Sequence, residues 1–267
     1  MISIKSFYTL NKLKNKYNLS KPFPHIIIDD FLDKKYFRLI QKELKKFDKQ
    51  KGQSFNSLVE KEKWISKNTG LPKYIKSLVK ELNGKKWLSY LKKFSEIDDL
   101  CATLSGNSEL ANYHEMKHGG YLGPHVDHSS DPKTEYPHVM NIIIYLSDNW
   151  KKNWGGGTEL YNFNGTKKIK KINYKANRAV IFLHTPYSFH AVSKIKKRSK
   201  VRSSIYVDYY SKSFDPYKKY QLDFSKKWFK HGTCFTLNNP IHYLLPKNFY
   251  YTKTKIQYYK NKFFSKF

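Results

Sequence analysis

His138-Val139-Met140-Asn141-Ile142-Ile143-Ile144-Tyr145-Leu146 is a β-branched, apolar run enclosed by Pro137 on one side and Ser147-Asp148-Asn149 on the other. A run of this composition between turn-forming residues reads as a buried strand. The same texture recurs from about Asn112 to Tyr210, in short β-branched and aromatic stretches such as Ala179-Val180-Ile181-Phe182 separated by Gly, Pro, Asn and Asp. That is the signature of an all-β barrel or sandwich.

Upstream of this region the period changes. Tyr36, Phe37, Ile40, Leu44 and Phe47 repeat at helical spacing with Lys on the opposite face, as an amphipathic helix requires. Tyr74, Ile75, Leu78, Val79 and Leu82 predict a second helix, with Pro72 in its first turn and Gly84 beyond its end. Trp87, Leu88, Leu91 and Phe94 predict a third. The expected fold class is therefore mainly β with flanking helices, the helices preceding and buttressing the β core. The expected organisation is an N-terminal arm (1–21), one domain (22–210, helical over 33–94 and β over about 112–210), and a basic, aromatic extension (211–267).

The formal net charge is +30, yet of 51 basic residues only Arg38, Arg178, Arg198 and Arg202 are arginine. Lysines spread over almost every segment read as a compositional bias rather than a groove built for phosphates, so specific nucleic-acid binding is not expected. The same bias makes each arginine informative. Two cysteines, Cys101 and Cys234, are too few for a disulfide framework and read as thiols in a reducing compartment. The N-terminal twenty residues lack an apolar signal-like run and no apolar stretch is long enough to span a bilayer, which gives a cytoplasmic expectation. The extension carries twelve Lys against two Asp among many aromatics; it can pack back on the core or make peripheral contact with an anionic membrane.

The chemistry-bearing stretch is Gly123-Pro124-His125-Val126-Asp127-His128. Residues i and i+2 of an extended segment face the same way, so His125 and Asp127 can grip one metal ion from a single strand edge. With 10 His and 12 Asp in the chain, the pair by itself is a weak motif. His190, following the apolar run Ala179–Phe182, could complete a two-histidine, one-carboxylate set. Such a set leaves positions open on an octahedral ion, unlike a closed structural zinc site.

The order of the surrounding segments resembles the 2-oxoglutarate and Fe(II)-dependent dioxygenases, specifically the prolyl 4-hydroxylase-like branch. The matching pieces are Pro22-Phe23-Pro24-His25-Ile26-Ile27-Ile28-Asp29-Asp30-Phe31-Leu32, Gly119-Gly120-Tyr121-Leu122, Tyr145-Leu146 through Trp150 to Trp154-Gly155-Gly156-Gly157-Thr158-Glu159-Leu160, and Asn177–Phe182 followed by His190-Ala191-Val192. The resemblance covers roughly residues 22 to 210. It implies a double-stranded β-helix, a jelly-roll variant, with Fe(II) held by His125, Asp127 and His190. It further implies 2-oxoglutarate as cosubstrate, O2, and ascorbate as a candidate reductant.

Arg202 is the expected anchor for the distal carboxylate of 2-oxoglutarate, because a guanidinium presents parallel donors and stays charged when buried. Alternation along Val201–Tyr210 puts Arg202, Ser204, Tyr206 and Asp208 on one face, and Arg202 with Ser204 matches the family's Arg-x-Ser pattern. Arg198, in a Lys-rich run, reads as a solvated rival. Tyr145 resembles the family tyrosine that contacts the cosubstrate carboxylate. Ser204 and Tyr113 are further cofactor-contact candidates, and Tyr113, His114, His118, Tyr121 and His128 are candidates to line the substrate pocket. Residues 129–137 form a polar loop that reads equally as a substrate lid or a surface turn.

The implied reaction is hydroxylation of an unactivated C–H bond in a peptidyl residue or in a small metabolite or sugar. Asp127 disfavours halogenation, because related halogenases lack this carboxylate. Nucleic-acid demethylation is an alternative, but those relatives resemble one another in a second arginine six positions after the anchor, where this chain has Asp208. A non-catalytic jelly-roll that binds polyanions is the reading from a different class.

Overall fold

The computed structural model describes residues 1–47, 52–57, 59–102, 110–128, 130–131, 134–216 and 234–235. In chain order the elements are α1 (Ile4–Leu19), β1 (His25–Ile28), α2 (Lys34–Leu44), β2 (Gly52–Phe55), β3 (Glu60–Lys67), α3 (Lys73–Leu82), α4 (Lys85–Ser95), β4 (Cys101–Ala102), β5 (Leu110–Val126), β6 (His138–Tyr145), β7 (Thr158–Tyr161), β8 (Lys168–Ile172), β9 (Ala179–Leu183), β10 (His190–Val192), β11 (Arg202–Tyr210) and β12 (Cys234–Phe235). The pairings are antiparallel, in the order β1-β9-β6-β11-β5-β10-β7-β8, with β3 and β12 also on β5, β2 on β3 and β4 on β11.

Strand β5 makes the sheet curl. Tyr113 to Met116 pair with β11, whereas Leu122 and His125 pair with β10. Between these two stretches Gly119 takes a φ of +82°, a conformation that glycine adopts without steric cost. The halves then face each other: the Tyr145 hydroxyl on β6 meets Thr158 Oγ1 on β7 at 2.6 Å, although these strands are far apart in the sheet order.

Period-two alternation sorts side chains between the inside of this curl and its helix-covered back. Ile142 and Ile144 on β6, Ala179 and Ile181 on β9, and Ile205, Val207 and Tyr209 on β11 join Leu10, Ile40, Ile75, Trp87 and Phe94 of the four helices in one core. Tyr145, Leu160, Ile172, Tyr174, Val180 and Phe182 pack inside the curl. Burying side chains of this size stabilises by about 1.5–3 kcal/mol each, so the back core is the main mechanical support of the strands that carry the site. This is the mainly β, jelly-roll arrangement with flanking helices.

Helix α2 begins where Asp33 accepts hydrogen bonds from the backbone N–H groups of Lys35 and Tyr36, at 2.9 and 3.1 Å, a side-chain N-cap. A helix and a hairpin lie where the sequence predicts neither. Residues expected as an arm form α1, with Phe7, Leu10 and Tyr17 buried against the sheet-backing helices; its Lys- and Asn-rich face obscures the helical period. The β2–β3 hairpin falls within the stretch expected to be helical, because Glu60-Lys61-Glu62-Lys63 is too polar to advertise a strand. Beyond residue 216 the expected extension lies outside the described residues apart from β12. No helix among the described residues is long and apolar enough to cross a membrane.

Candidate metal centre and carboxylate anchor

His125 ends the second half of β5, and β10 lies beside it with His190 as its direct register partner. The two rings are 4.2 Å apart, centroid to centroid. Asp127, two residues on, reaches between them: Oδ1 is 3.5 Å from His125 Nε2 and Oδ2 is 3.4 Å from His190 Nε2. One donor atom from each of the three side chains falls within 4.8 Å of the others.

Both imidazoles are oriented by the same local device. His125 Nδ1 is 2.8 Å from the Gly123 carbonyl and His190 Nδ1 is 2.9 Å from the Ser188 carbonyl. A carbonyl only accepts, so Nδ1 carries the proton and Nε2 presents its lone pair inward. Backbone contacts of this kind fix the tautomer of metal-binding histidines. Burial, above all, lowers the His190 pKa to about 4. Burial pushes the Asp127 carboxyl up, but the neighbouring His190 and His125 outweigh it and hold the group well below the usual carboxylate range. A neutral His190 nitrogen beside an ionised Asp127 carboxylate is the pairing of protonation states that metal ligation needs. The donor set, two nitrogens and one carboxylate on one side of a buried space, fits Fe(II) with open positions better than a closed tetrahedral site.

Deeper in the curl lies Arg202, 3 % exposed. Nε donates to the Gly156 carbonyl at 2.6 Å and Nη1 to Ser204 Oγ at 2.9 Å. Its Cζ is 5.5 Å from the ring centres of both Tyr145 and Tyr174, a cation–π environment that offsets part of its desolvation. Among the described residues no carboxylate pairs with it. Gly155 and Gly156 both have φ of +75°; a Cβ on Gly156 would stand 3.2 Å from Arg202 Cδ, so the glycines of Trp154–Gly157 let the chain pass close beneath the guanidinium.

The other sequence candidates divide by strand face. Ser204 points inward with Arg202, while Tyr113 belongs to the back core, its hydroxyl 2.6 Å from Glu115 Oε1 and its ring edge-on to Phe47 and Trp64. His114, one residue along and opposite Ser204, faces the inside and packs 4.2 Å from the Tyr206 ring. The Tyr145 hydroxyl is engaged by Thr158, so the tyrosine offers Arg202 its ring face. His118 and Arg198 are exposed, Tyr121 is partly exposed, and His128 Nε2 meets the Tyr210 hydroxyl at 2.8 Å. Ser129, Pro132 and Lys133 of the loop 129–137 lie outside the described residues. Not anticipated from sequence were Asn141 and Asp208, which sit directly behind Asp127; an amide inside the apolar run Val139–Ile144 was the signal that could have found the first.

Residues 109–208 match the family model described as the 2OG-Fe(II) oxygenase superfamily. That stretch, which holds His125, Asp127, His190 and Arg202, is similar to the 2OG-Fe(II) oxygenases. The chain's fold is shared with a Pseudomonas putida prolyl-4-hydroxylase, at TM-score 0.55 and 12 % identity over 77 % of this chain and 98 % of that one. A Trichoplax adhaerens prolyl hydroxylase, solved with a hypoxia inducible factor oxygen degradation domain peptide fragment, superposes at TM-score 0.52 and 17 % identity, covering 83 % and 95 %. An oxidoreductase of the 2OG-Fe(II) oxygenase family from Burkholderia pseudomallei gives 0.54 and 9 %, covering 79 % and 93 %. The oxygenase family implies Fe(II), 2-oxoglutarate and O2, and among the described residues the His125–Asp127–His190 cluster is a donor set that fits iron.

Proposed function

We propose that the protein is a prolyl 4-hydroxylase-like hydroxylase that holds Fe(II) on His125, Asp127 and His190 and 2-oxoglutarate on Arg202. Its substrate is a peptidyl residue, or a small metabolite or sugar; the peptide bound to the Trichoplax relative favours the peptidyl class. The observation that carries the reading is the buried Arg202, which has no carboxylate partner among the described residues and is placed inside the same curl as the His125–Asp127–His190 triad. A buried charge is strongly unfavourable without a counter-ion, so this arginine calls for an anionic ligand that the described residues do not supply.

The residues divide the work. Arg202 and Ser204 engage the far carboxylate, the guanidinium through Nη2 and its remaining Nη1 hydrogen, Ser204 through a hydroxyl proton left over after accepting from Nη1. Tyr145 and Tyr174 hold the guanidinium plane. His125, Asp127 and His190 present three donors from one side and leave the opposite side to cosubstrate and O2. Bound Fe(II) with 2-oxoglutarate and O2 supplies the oxidising power, one oxygen atom entering the substrate C–H bond and the other leaving in succinate alongside CO2. Phe182, 4.8 Å from His190, and the apolar residues around it exclude water.

Anaerobic titration of the purified protein with Fe(II) and then 2-oxoglutarate tests this through the weak visible charge-transfer band of the chelate, followed by succinate release under air and a peptide and metabolite screen. A protein that binds polyanions but yields neither band nor succinate belongs to the non-catalytic reading that the +30 charge invites.

A further inference from the structure

Asn141 is an amide buried to 2 % exposure on the inward face of β6. Its Nδ2 is 3.0 Å from Asp127 Oδ2 and 3.1 Å from Asp208 Oδ1. The two hydrogens of one NH2 group therefore go to two different carboxyl groups, and the amide cannot flip, since its oxygen would then confront both acceptors. Asp208 is itself enclosed: His138 Nε2, in a fully buried ring, is 3.6 Å from the same Oδ1, and His128 Nε2 is 3.9 Å from Oδ2. His138 is in turn fixed by Nδ1 on the His128 carbonyl at 2.9 Å and by stacking on His184 at 4.0 Å. A rigid polar wall thus ends on the one ligand of the triad that has two donor atoms.

We propose that Asn141, locked by Asp208, is a positioning residue that fixes the Asp127 carboxylate so that only Oδ1 serves the metal. This rests on the reading of the triad as the iron site. A hydrogen bond from Asn141 lowers the basicity of Oδ2 and pins the carboxylate plane. The consequence decides whether the reaction fits an octahedral ion: two histidines and one carboxylate oxygen leave three positions, enough for a two-point cosubstrate and O2, whereas a chelating carboxylate leaves two. Nothing in the triad itself prevents chelation, because each Asp127 oxygen already faces a histidine nitrogen.

The test measures Mn(II) affinity and the ligand-field spectrum of the Co(II)-loaded full-length protein, with thermal midpoints of the metal-free forms recorded in parallel. Asn141→Ala is expected to weaken Mn(II) binding by about 10- to 100-fold and to change the Co(II) bands. Asp208→Ala should act in the same direction but less, while Asp208→Asn, whose side-chain oxygen can still accept from Asn141, stays close to the unmodified protein. Asn141→Leu, which keeps the volume, replaces the alanine variant if that one does not fold. Wild-type affinity and an unchanged Co(II) spectrum in a folded Asn141 variant overturn the inference and leave the iron site standing. If His125→Ala binds Mn(II) as well as the unmodified protein does, the site reading falls and the inference with it.

Discussion

His125 and His190 are direct register partners across the antiparallel pair β5–β10, and each ring is aimed by its Nδ1 on the carbonyl two residues before it. Two histidines far apart in sequence are thereby brought to one point by backbone pairing, with no help from side-chain plasticity.

Removing any of His125, Asp127 or His190 should abolish metal-dependent succinate formation. Alanine at each position is expected to leave the fold intact and eliminate tight Mn(II) binding, measured by titration of the metal-free protein. A variant that keeps both metal binding and turnover would show that its residue is not a ligand.

Arg202→Ala is expected to raise the half-saturating 2-oxoglutarate concentration by about tenfold to a hundredfold, the equivalent of the ~1.5–3 kcal/mol carried by hydrogen bonds to a charged group. Metal affinity should change little, because Arg202 touches none of the three ligands. Arg198→Ala, an exposed control, should be silent; the reverse pattern in cosubstrate kinetics would reassign the anchor.

Gly156→Ala should damage cosubstrate binding without touching a ligand. The position has φ of +75° and its Cβ would stand 3.2 Å from Arg202 Cδ, so a backbone cost on the order of 1 kcal/mol adds to displacement of the guanidinium. The expected readouts are a lower thermal midpoint together with a raised 2-oxoglutarate requirement, and an unchanged requirement would separate the glycine from the anchor.

Acid should destabilise the metal-free protein between pH 6.5 and about 4. Burial lowers the His190 pKa to about 4, so in that window the unfolded chain binds a proton that the native state does not, and stability rises with pH. His25 and His138, also lowered by burial, act in the same sense. Asp208, raised by burial and by Asp127, opposes them within the same window, because above the ordinary carboxylate pKa the native state keeps a proton that the unfolded chain has lost. Denaturant midpoints measured from pH 4 to 7 should show a positive slope that flattens in His190→Gln; an equal slope in that variant would contradict the assignment.

The sequence alone determined what depends on neighbours along the chain. Alternation placed His125 with Asp127 and Arg202 with Ser204, because a strand's side-chain period is a property of its own backbone. Helical spacing located α2, α3 and α4 for the same reason, while α1 and the β2–β3 hairpin were hidden by lysines and glutamates on their solvent sides. Only the tertiary structure decided which strands lie side by side. It turned Tyr113 toward the helices and His114 toward the site through the register of β5 with β11, set His190 opposite His125, and brought Asn141 and Asp208 behind Asp127. Register is chosen by packing against other strands and against the core, and a local stretch of residues carries no record of the partner it will meet.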